Sequence, residues 1–341
     1  MRIKGSKILK FARILIPAYL KLKFRPIPIW AHFFITRRCN LNCKYCFQKD
    51  NKKNESDTLE AKKIIDKLYS LGTRILSFLG GEPTLRKDFV ELVEYANKKG
   101  MISFLTTNGT LLDEEYIERI GRSGLDILTL SVDSVADFGY SGKNYARSKK
   151  VLDNLVRARG KYGFLLIVNM VLSNRNVNQV IDTLKFFDKL GIPISLVFIQ
   201  EDTFTNQPMD EGLFFRSEEE KNKLFKVLEE IKILKKQSKN IYVSTQYLND
   251  IKKFVNKEIR WDCPAGKYTF AVDTEGEFML CSVLPKEDIN IFQIDKNYYK
   301  KFAVKRKETL DICTKKCLSN CYHATMVIIK NPLTPIKELI V

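Results

Sequence analysis

Residues 58–106 read TLEAKKIIDKLYSLGTRILSFLGGEPTLRKDFVELVEYANKKGMISFLT, and the fold class turns on how this stretch is parsed. An amphipathic run over 58–71 stops at Gly72 and is followed by a short apolar run, Arg74–Leu79. A second amphipathic run over 87–99 stops at Gly100, and another apolar run starts at Met101. Glycine accepts the left-handed backbone of a helix end at least cost, so the punctuation agrees with the periodicity. The alternation continues both ways. Strand-like runs occur at His32–Thr36, Met101–Thr106, Ile127–Val132, Phe164–Leu172 and Ile194–Ile199, and helical patterns at 113–121, 145–160 and 177–190, with further stops expected at Gly121 and Gly191. Such alternation gives parallel strands joined by right-handed crossovers. Six units are too few for a closed eight-fold barrel, so an open partial barrel is expected, with chemistry at the carboxyl ends of its strands.

After a charged helical pattern around 217–237 the sequence changes character. A hairpin is expected from Tyr268–Asp273 and Glu277–Cys281, turning at Thr274-Glu275-Gly276, and a cysteine-rich end follows it. The predicted fold class is therefore α/β: a partial (β/α)6 TIM-like barrel with a small cysteine-rich C-terminal α+β domain. The predicted organisation is a basic amphipathic segment over 1–30, the barrel over 31–235 and the cysteine-rich domain over 236–341.

The 341 residues are 45% hydrophobic and 29% charged, which excludes a disordered or collagen-like chain. No uncharged apolar run reaches the roughly 18 residues that a bilayer span needs. Only two histidines are present, His32 and His323, which argues against His-based hydrolases and His-rich zinc sites. Both are read as packing or surface side chains rather than ligands. The net charge of +18 is uneven: residues 1–49 hold twelve Lys/Arg and no Asp or Glu. A long nucleic-acid groove would spread its charge over the fold, so a nucleic-acid partner is disfavoured and a local anionic surface favoured.

Within residues 3–24, Ile8, Ala12, Leu15 and Tyr19, with Leu9, Ile16 and Leu20, share one broad helical face, and Lys4, Lys7, Lys10 and Arg13 lie on the other. This layout suits a helix in a membrane interface, its cations meeting anionic lipid. It equally suits a helix packed on the barrel with its basic side in water. Pro17 is expected to kink or interrupt it. Arg13 and Pro17 limit the apolar run and no small-x-small cleavage site follows, so a secretory signal is not expected. The expected location is cytoplasmic, with the inner face of the cell membrane as the place for the basic segment.

The eight cysteines form two groups, Cys39, Cys43, Cys46 and Cys263, Cys281, Cys313, Cys317, Cys321. Short clustered spacings in a long chain read as metal ligation in a reducing compartment rather than as a disulfide framework. Three thiolates within eight residues can hold one corner of a cubane iron–sulfur cluster and leave one iron open to a substrate or cofactor. A structural zinc site, the alternative, wants a fourth ligand that is not nearby in sequence.

Cys39-x3-Cys43-x2-Cys46 after the first strand of a strand–helix repeat resembles the signature of radical S-adenosylmethionine (SAM) enzymes. Three further motifs stand at successive strand ends: Gly80-Gly81-Glu82-Pro83, Thr106-Thr107-Asn108-Gly109 and Ser131-Val132-Asp133-Ser134. The resemblance covers roughly 31–235. It implies that Cys39, Cys43 and Cys46 ligate a [4Fe–4S] cluster whose open iron is chelated by the methionine end of SAM. It further implies that Tyr45 contacts adenine, that Gly80 and Gly81 let backbone approach the methionyl group, and that Glu82 accepts from its ammonium. Ser131 and Asp133 would meet the ribose, Thr107 and Asn108 would face the same cavity, and Ile199 and Gln200 would line the adenine edge. Without the resemblance, Gly80-Gly81 reads as an ordinary turn, and Ser131 and Asp133 as helix caps.

The second group, Cys263-x12-Gly276-x4-Cys281 followed by Cys313, Cys317 and Cys321 at x3 spacings, resembles the SPASM/twitch extensions of these enzymes over about 260–325. The full SPASM pattern has seven cysteines and this chain has five, so one auxiliary [4Fe–4S] cluster with one spare cysteine is the economical expectation. A zinc ribbon or reduced core cysteines are the alternatives.

The implied activity is reductive cleavage of SAM to a 5′-deoxyadenosyl radical that abstracts hydrogen from a substrate, the auxiliary cluster assisting oxidation or bond formation. A peptide or protein side chain, a membrane lipid and a small sugar or cofactor precursor are the open substrate classes, of which the first two are carried forward. The partner implied for reduction is a flavodoxin or ferredoxin. A non-catalytic iron–sulfur electron carrier and an RNA-modifying radical SAM enzyme are the competing readings; a carrier needs no cofactor cavity.

Overall fold

In the computed structural model, residues 5–136, 141–200, 209–258, 262–313 and 317–330 are described. Arg2 and Lys4, counted above among the basic residues, lie outside them. The chain opens with α1 (Gly5–Leu22) and then alternates β1 (Trp30–Thr36), α2 (Thr58–Leu71), β2 (Ile75–Gly80), α3 (Phe89–Lys98), β3 (Ile102–Thr107), α4 (Glu114–Arg122), β4 (Ile127–Ser131), α5 (Tyr145–Tyr162), β5 (Leu165–Leu172), α6 (Val180–Lys189) and β6 (Ile194–Phe198). The six expected strands are thus present, with ends shifted by one or two residues. There follow α7 (Glu218–Gln237), β7 (Ile241–Tyr242), α8 (Thr245–Val255), β8 (Thr269–Val272), β9 (Phe278–Met279), α9 (Tyr298–Lys301), α10 (Ala303–Cys313) and α11 (Asn320–Lys330).

All nine strands belong to one sheet in the order β7-β6-β5-β4-β3-β2-β1-β8-β9. Strands β1 to β7 are parallel neighbours in chain order, the arrangement of an open partial barrel. The hairpin is shorter than expected, and its first strand does something its sequence did not announce. β8 pairs in parallel with β1, Trp30 opposite Thr269 and Phe33 opposite Val272, so the C-terminal region is continuous with the barrel sheet.

Strand faces explain the packing. Ala31, Phe33 and Ile35 of β1 point outward into a layer shared with Ala61, Ile64, Ile65 and Leu68 of α2, all fully buried. Because side chains alternate across a strand, Trp30, His32 and Phe34 turn to the other face, into the lumen. There the Trp30 indole donates to Ser77 Oγ at 2.7 Å. His32 is buried between Trp30 and Tyr322 with neither ring nitrogen partnered, and burial pushes its pKa down to about 4, so it is a neutral packing residue.

Helix α1 closes the amino-terminal pole of the barrel. Phe11 and Ala18 pack with Ile27, Ile29, Trp30, Ile75 and Ile102, at or next to the first residues of β1, β2 and β3. The expected division of the helix into an apolar face and a solvated basic face is overturned. Lys7 and Lys10 point into the protein and both reach the fully buried Asp126, at 2.5 and 2.6 Å. Asp126 also accepts from the Ser103 backbone N–H at 3.0 Å. A buried carboxylate demands such partners: removing one partner of a buried pair costs about 3–5 kcal/mol. Pro17 does not end the helix, which runs on to Leu22. Proline removes a bond to the carbonyl four residues earlier, and both Pro17 and Arg13 are exposed, so water can satisfy that carbonyl. Gly121 is likewise not a helix stop. It lies inside α4, where a Cβ would meet the Tyr162 ring at 2.2 Å, and the left-handed residue is Gly124 at φ +81°.

Candidate functional site

β1 delivers the chain at Thr36 into the loop that carries Cys39, Cys43 and Cys46, and neighbouring elements hold this loop at several points. The Gly81 N–H donates to Thr36 O at 3.1 Å and the Glu82 N–H to Arg38 O at 2.8 Å. Cys39 N–H donates to Asn51 Oδ1, Cys46 N–H to Cys43 O, and the Cys43 thiol to Ser141 O at 3.1 Å. Asn40 is clamped between Asn108 and Thr110 at the end of β3.

The two glycines at the end of β2 have a role that the sequence reading assigned to the cofactor. A Cβ on Gly80 would lie 2.1 Å from Thr36 O, and one on Gly81 would lie 2.3 Å from Arg38 O. Their first duty is to let the cysteine loop cross the end of β2, a close approach that no side chain permits.

Glu82 is almost completely buried and heavily engaged. Its Oε1 accepts from Thr84 Oγ1 and Thr107 Oγ1, both at 2.7 Å, and its Oε2 accepts from the Asn108 N–H at 2.7 Å. Oε1 also accepts from the Thr84 N–H at 3.2 Å, whereas Oε2 accepts from Asn108 alone and so keeps one of its two lone pairs for a further donor.

That cavity has a volume of about 170 Å³ at the carboxyl ends of the strands. Cys39, Cys43 and Cys46 line it together with Gly80, Gly81, Glu82, Thr107, Asn108 and Ser131. Tyr45, Asp133, Ile199 and Gln200 do not line it. The reason is local for the first two: the Tyr45 hydroxyl donates to Asp133 Oδ2 at 2.7 Å, and Asp133 Oδ1 accepts from the Val171 N–H at 3.1 Å. The Asp133 carboxylate is anchored in the wall by these bonds, tying the end of β4 to β5. Ile199 is a buried core residue after β6.

Lys143, which the sequence reading did not single out, lines the cavity and donates to Tyr45 Oη at 3.0 Å. Burial works against its charge, but Cys43, Asp133, Cys46 and Cys39 around it prevail and raise its pKa. Its only signal in sequence is its place in the segment between β4 and α5, where any lysine would read as solvated. The ammonium and the single free site on Glu82 give the cavity one group for an anion and one for a cation. Replacing Lys143 by methionine is expected to weaken binding of SAM, an amino acid with a carboxylate, by about tenfold, the size of one charge-assisted hydrogen bond. Iron content should stay unchanged; anaerobic equilibrium dialysis and iron assay read the two.

The thiols suit an iron–sulfur group. Burial raises the pKa of Cys39 and pushes Cys43 up to about 11, while Lys143 pulls both down. Three soft donors in one cavity beside a fixed cation match the anionic thiolate corner of such a cluster.

The second group has its own geometry. Cys263, Cys281, Cys313 and Cys317 are buried, whereas Cys321, at the start of α11, is exposed. Each of the four feels the charge or the hydrogen bond of at least one other: Cys263 senses Cys281 and Cys313, Cys281 senses Cys313, and Cys317 hydrogen-bonds Cys313. Burial pushes Cys281 up to about 12. Two contacts join this group to the first loop: Gln48 donates to Ser282 O at 3.0 Å, and Arg37 pairs with Asp273 at 2.8 Å. His323, expected at the surface or beside a ligand, is buried and hydrogen-bonds Asp250 at 2.9 Å. No group of three or more His, Cys, Asp or Glu among the described residues is placed to hold a single metal ion.

Residues 33–187 match the model of the Radical SAM superfamily. In sequence, the chain is 42% identical over 116 residues to the Fe-coproporphyrin III synthase of Methanosarcina barkeri, covering 33% of this chain and 28% of that one. It is 34% identical over 164 residues to the PqqA peptide cyclase of Gluconobacter oxydans, covering 46% of this chain and 45% of the relative. The matched part thus spans less than half the length of both curated relatives. In structure, the chain resembles Streptococcus suis SuiB bound to its precursor peptide SuiA, with a TM-score of 0.63 at 19% identity over 83% of this chain and 67% of that one.

Proposed function

From the premise that this chain carries a radical SAM superfamily domain, we propose that it is an enzyme that cleaves SAM reductively and abstracts hydrogen from a peptide or protein side chain. The observation that carries the reading is the convergence of Cys39, Cys43 and Cys46 with Glu82, Ser131 and Lys143 on one cavity at the carboxyl ends of the strands. Cys39, Cys43 and Cys46 would hold a [4Fe–4S] cluster, which when bound supplies the single electron for SAM cleavage. The protein's own part is orientation. Lys143 attracts the cofactor's carboxylate, Oε2 of Glu82 accepts from its ammonium, and Ser131 offers a hydroxyl in the same cavity. The buried Thr107–Glu82–Thr84 network fixes the Glu82 carboxylate before the cofactor arrives, so that group reorganises little on binding.

The peptide substrate is supported by the names of two similar proteins, a peptide cyclase and one bound to a precursor peptide. Cys263, Cys281, Cys313 and Cys317 form the ligand set we assign to an auxiliary [4Fe–4S] cluster, leaving Cys321 spare; reduction would come from a flavodoxin or ferredoxin.

The test is anaerobic reconstitution followed by incubation with SAM and dithionite. Formation of 5′-deoxyadenosine and methionine is expected, with about eight iron atoms per chain for two clusters. A chain with full iron and no deoxyadenosine would overturn the enzyme reading in favour of an electron carrier. About four iron atoms with normal cleavage would remove only the auxiliary cluster.

A further inference from the structure

Helix α1 uses both of its sides. One side packs on the barrel through Phe11 and Ala18, and the other presents Leu9, Ile16 and Leu20, which are 67%, 53% and 51% exposed. Positions 9, 16 and 20 share one helical face by their spacing. Phe24, two residues past the helix end, is 89% exposed. Four large apolar side chains within sixteen residues thus stand in water at one pole of the molecule, where single exposed apolar residues would need no explanation.

The charge carried by the helix and its flanks is of one sign. Arg13, Lys21 and Lys23 are exposed beside it, and none has a carboxylate partner among the described residues. No Asp or Glu occurs anywhere in residues 1–49. In a barrel of this kind the helices run back against the strands, so their last turns arrive at the same pole. Lys98 of α3 and Lys189 of α6, both exposed, add to the positive field there. Lys7 and Lys10, which would otherwise share that field, are withdrawn onto Asp126 and serve to fasten the helix.

An apolar ridge flanked by unpaired cations complements the interface of an anionic bilayer, where acyl chains accept the ridge and headgroups meet the cations. A water-facing protein surface has no use for the ridge, and a nucleic acid would not cover it. We propose that the outward face of α1 docks this chain on an anionic lipid surface. The docking face closes the amino-terminal pole, and the cysteine-lined cavity opens at the carboxyl ends of the strands. The docked enzyme therefore opens toward water. A lipid lying in the same bilayer does not reach the cavity, which removes the sequence-based motive for a lipid substrate.

The experiment is co-sedimentation of the full chain with vesicles of phosphatidylcholine alone or with about one third phosphatidylglycerol. Wild type is expected to partition at least about tenfold better onto the anionic vesicles, since each cation near such a surface counts roughly fivefold. Leu9→Gln with Ile16→Gln and Leu20→Gln should abolish sedimentation with both vesicle types. Arg13→Gln with Lys21→Gln and Lys23→Gln should lower anionic binding alone. All six positions are solvent-facing, and unchanged thermal melting checks that both variants fold. Wild-type binding equal on the two vesicle types, or unaltered by the apolar variant, overturns the proposal. So does the absence of vesicle binding together with concentration-dependent self-association that the apolar variant loses, which would assign the ridge to a second copy of the chain. The readout is binding alone, so it stands or falls separately from SAM cleavage.

Discussion

Cys46→Ala is expected to abolish formation of 5′-deoxyadenosine and to remove about half of the visible iron–sulfur absorption of the reconstituted chain. The cavity offers three thiols for the first cluster, and Cys46 is tied to its partner through the Cys46 N–H to Cys43 O bond. With two thiols left, no cubane corner can be held at a vacant-iron site. Loss of an outer-shell partner of a metal ligand already costs 10–100-fold, so loss of a ligand itself should exceed about a hundredfold in activity. Iron content separates the two cysteine groups. Cys46→Ala should lose about four iron atoms and keep the remainder, whereas Cys321→Ala should lose none, because Cys321 is exposed and the other four are buried. A Cys46→Ala chain with full iron and undiminished cleavage would defeat the assignment of the site.

Gly81→Ala should be nearly as damaging although it removes no functional group. The added Cβ would meet Arg38 O at 2.3 Å and Arg37 O at 2.7 Å. These are backbone atoms of the loop that carries Cys39, so no side chain can swing away and the loop itself must shift. A displacement of about 1 Å at a reacting centre costs on the order of a hundredfold, while overpacking of this kind costs the fold only about 1–3 kcal/mol. The expected result is a folded protein with a modestly lowered melting temperature and about one hundredth of the SAM cleavage. Gly160→Ala is the control: a Cβ there meets nothing within 4 Å. Equal activity of the two variants would show that the loop tolerates the shift.

The strands were legible because those buried on both faces must be continuous apolar runs, and the glycines between them punctuate without ambiguity at Gly72 and Gly191. The positions of the cysteine loop, Glu82 and Ser131 followed from strand ends, since parallel strands bring their carboxyl ends to one side. What stayed hidden depends on contacts between distant residues. Nothing local in Thr269–Val272 says that β8 will pair with Trp30–Phe33. The helical wheel of α1 placed Lys7 and Lys10 outward because it could not know that a buried Asp126 awaited them. Tyr45 and Asp133 were both read as cofactor contacts, and the bond that joins them was not legible. Lys143 was invisible because its burial is a property of the assembled cavity, not of its segment.

The pairing of β8 with β1 carries a consequence for biosynthesis. The strand that launches the cysteine loop leaves the ribosome long before its outer neighbour and the Asp273 that holds Arg37. Until β8 is made, β1 is an open sheet edge, and until translation has passed Ser282 its loop lacks one or both of its tethers to Asp273 and Ser282. Nascent and prematurely terminated chains therefore present an unfinished thiol loop. Iron delivery by the cell's assembly machinery is best matched to completed chains.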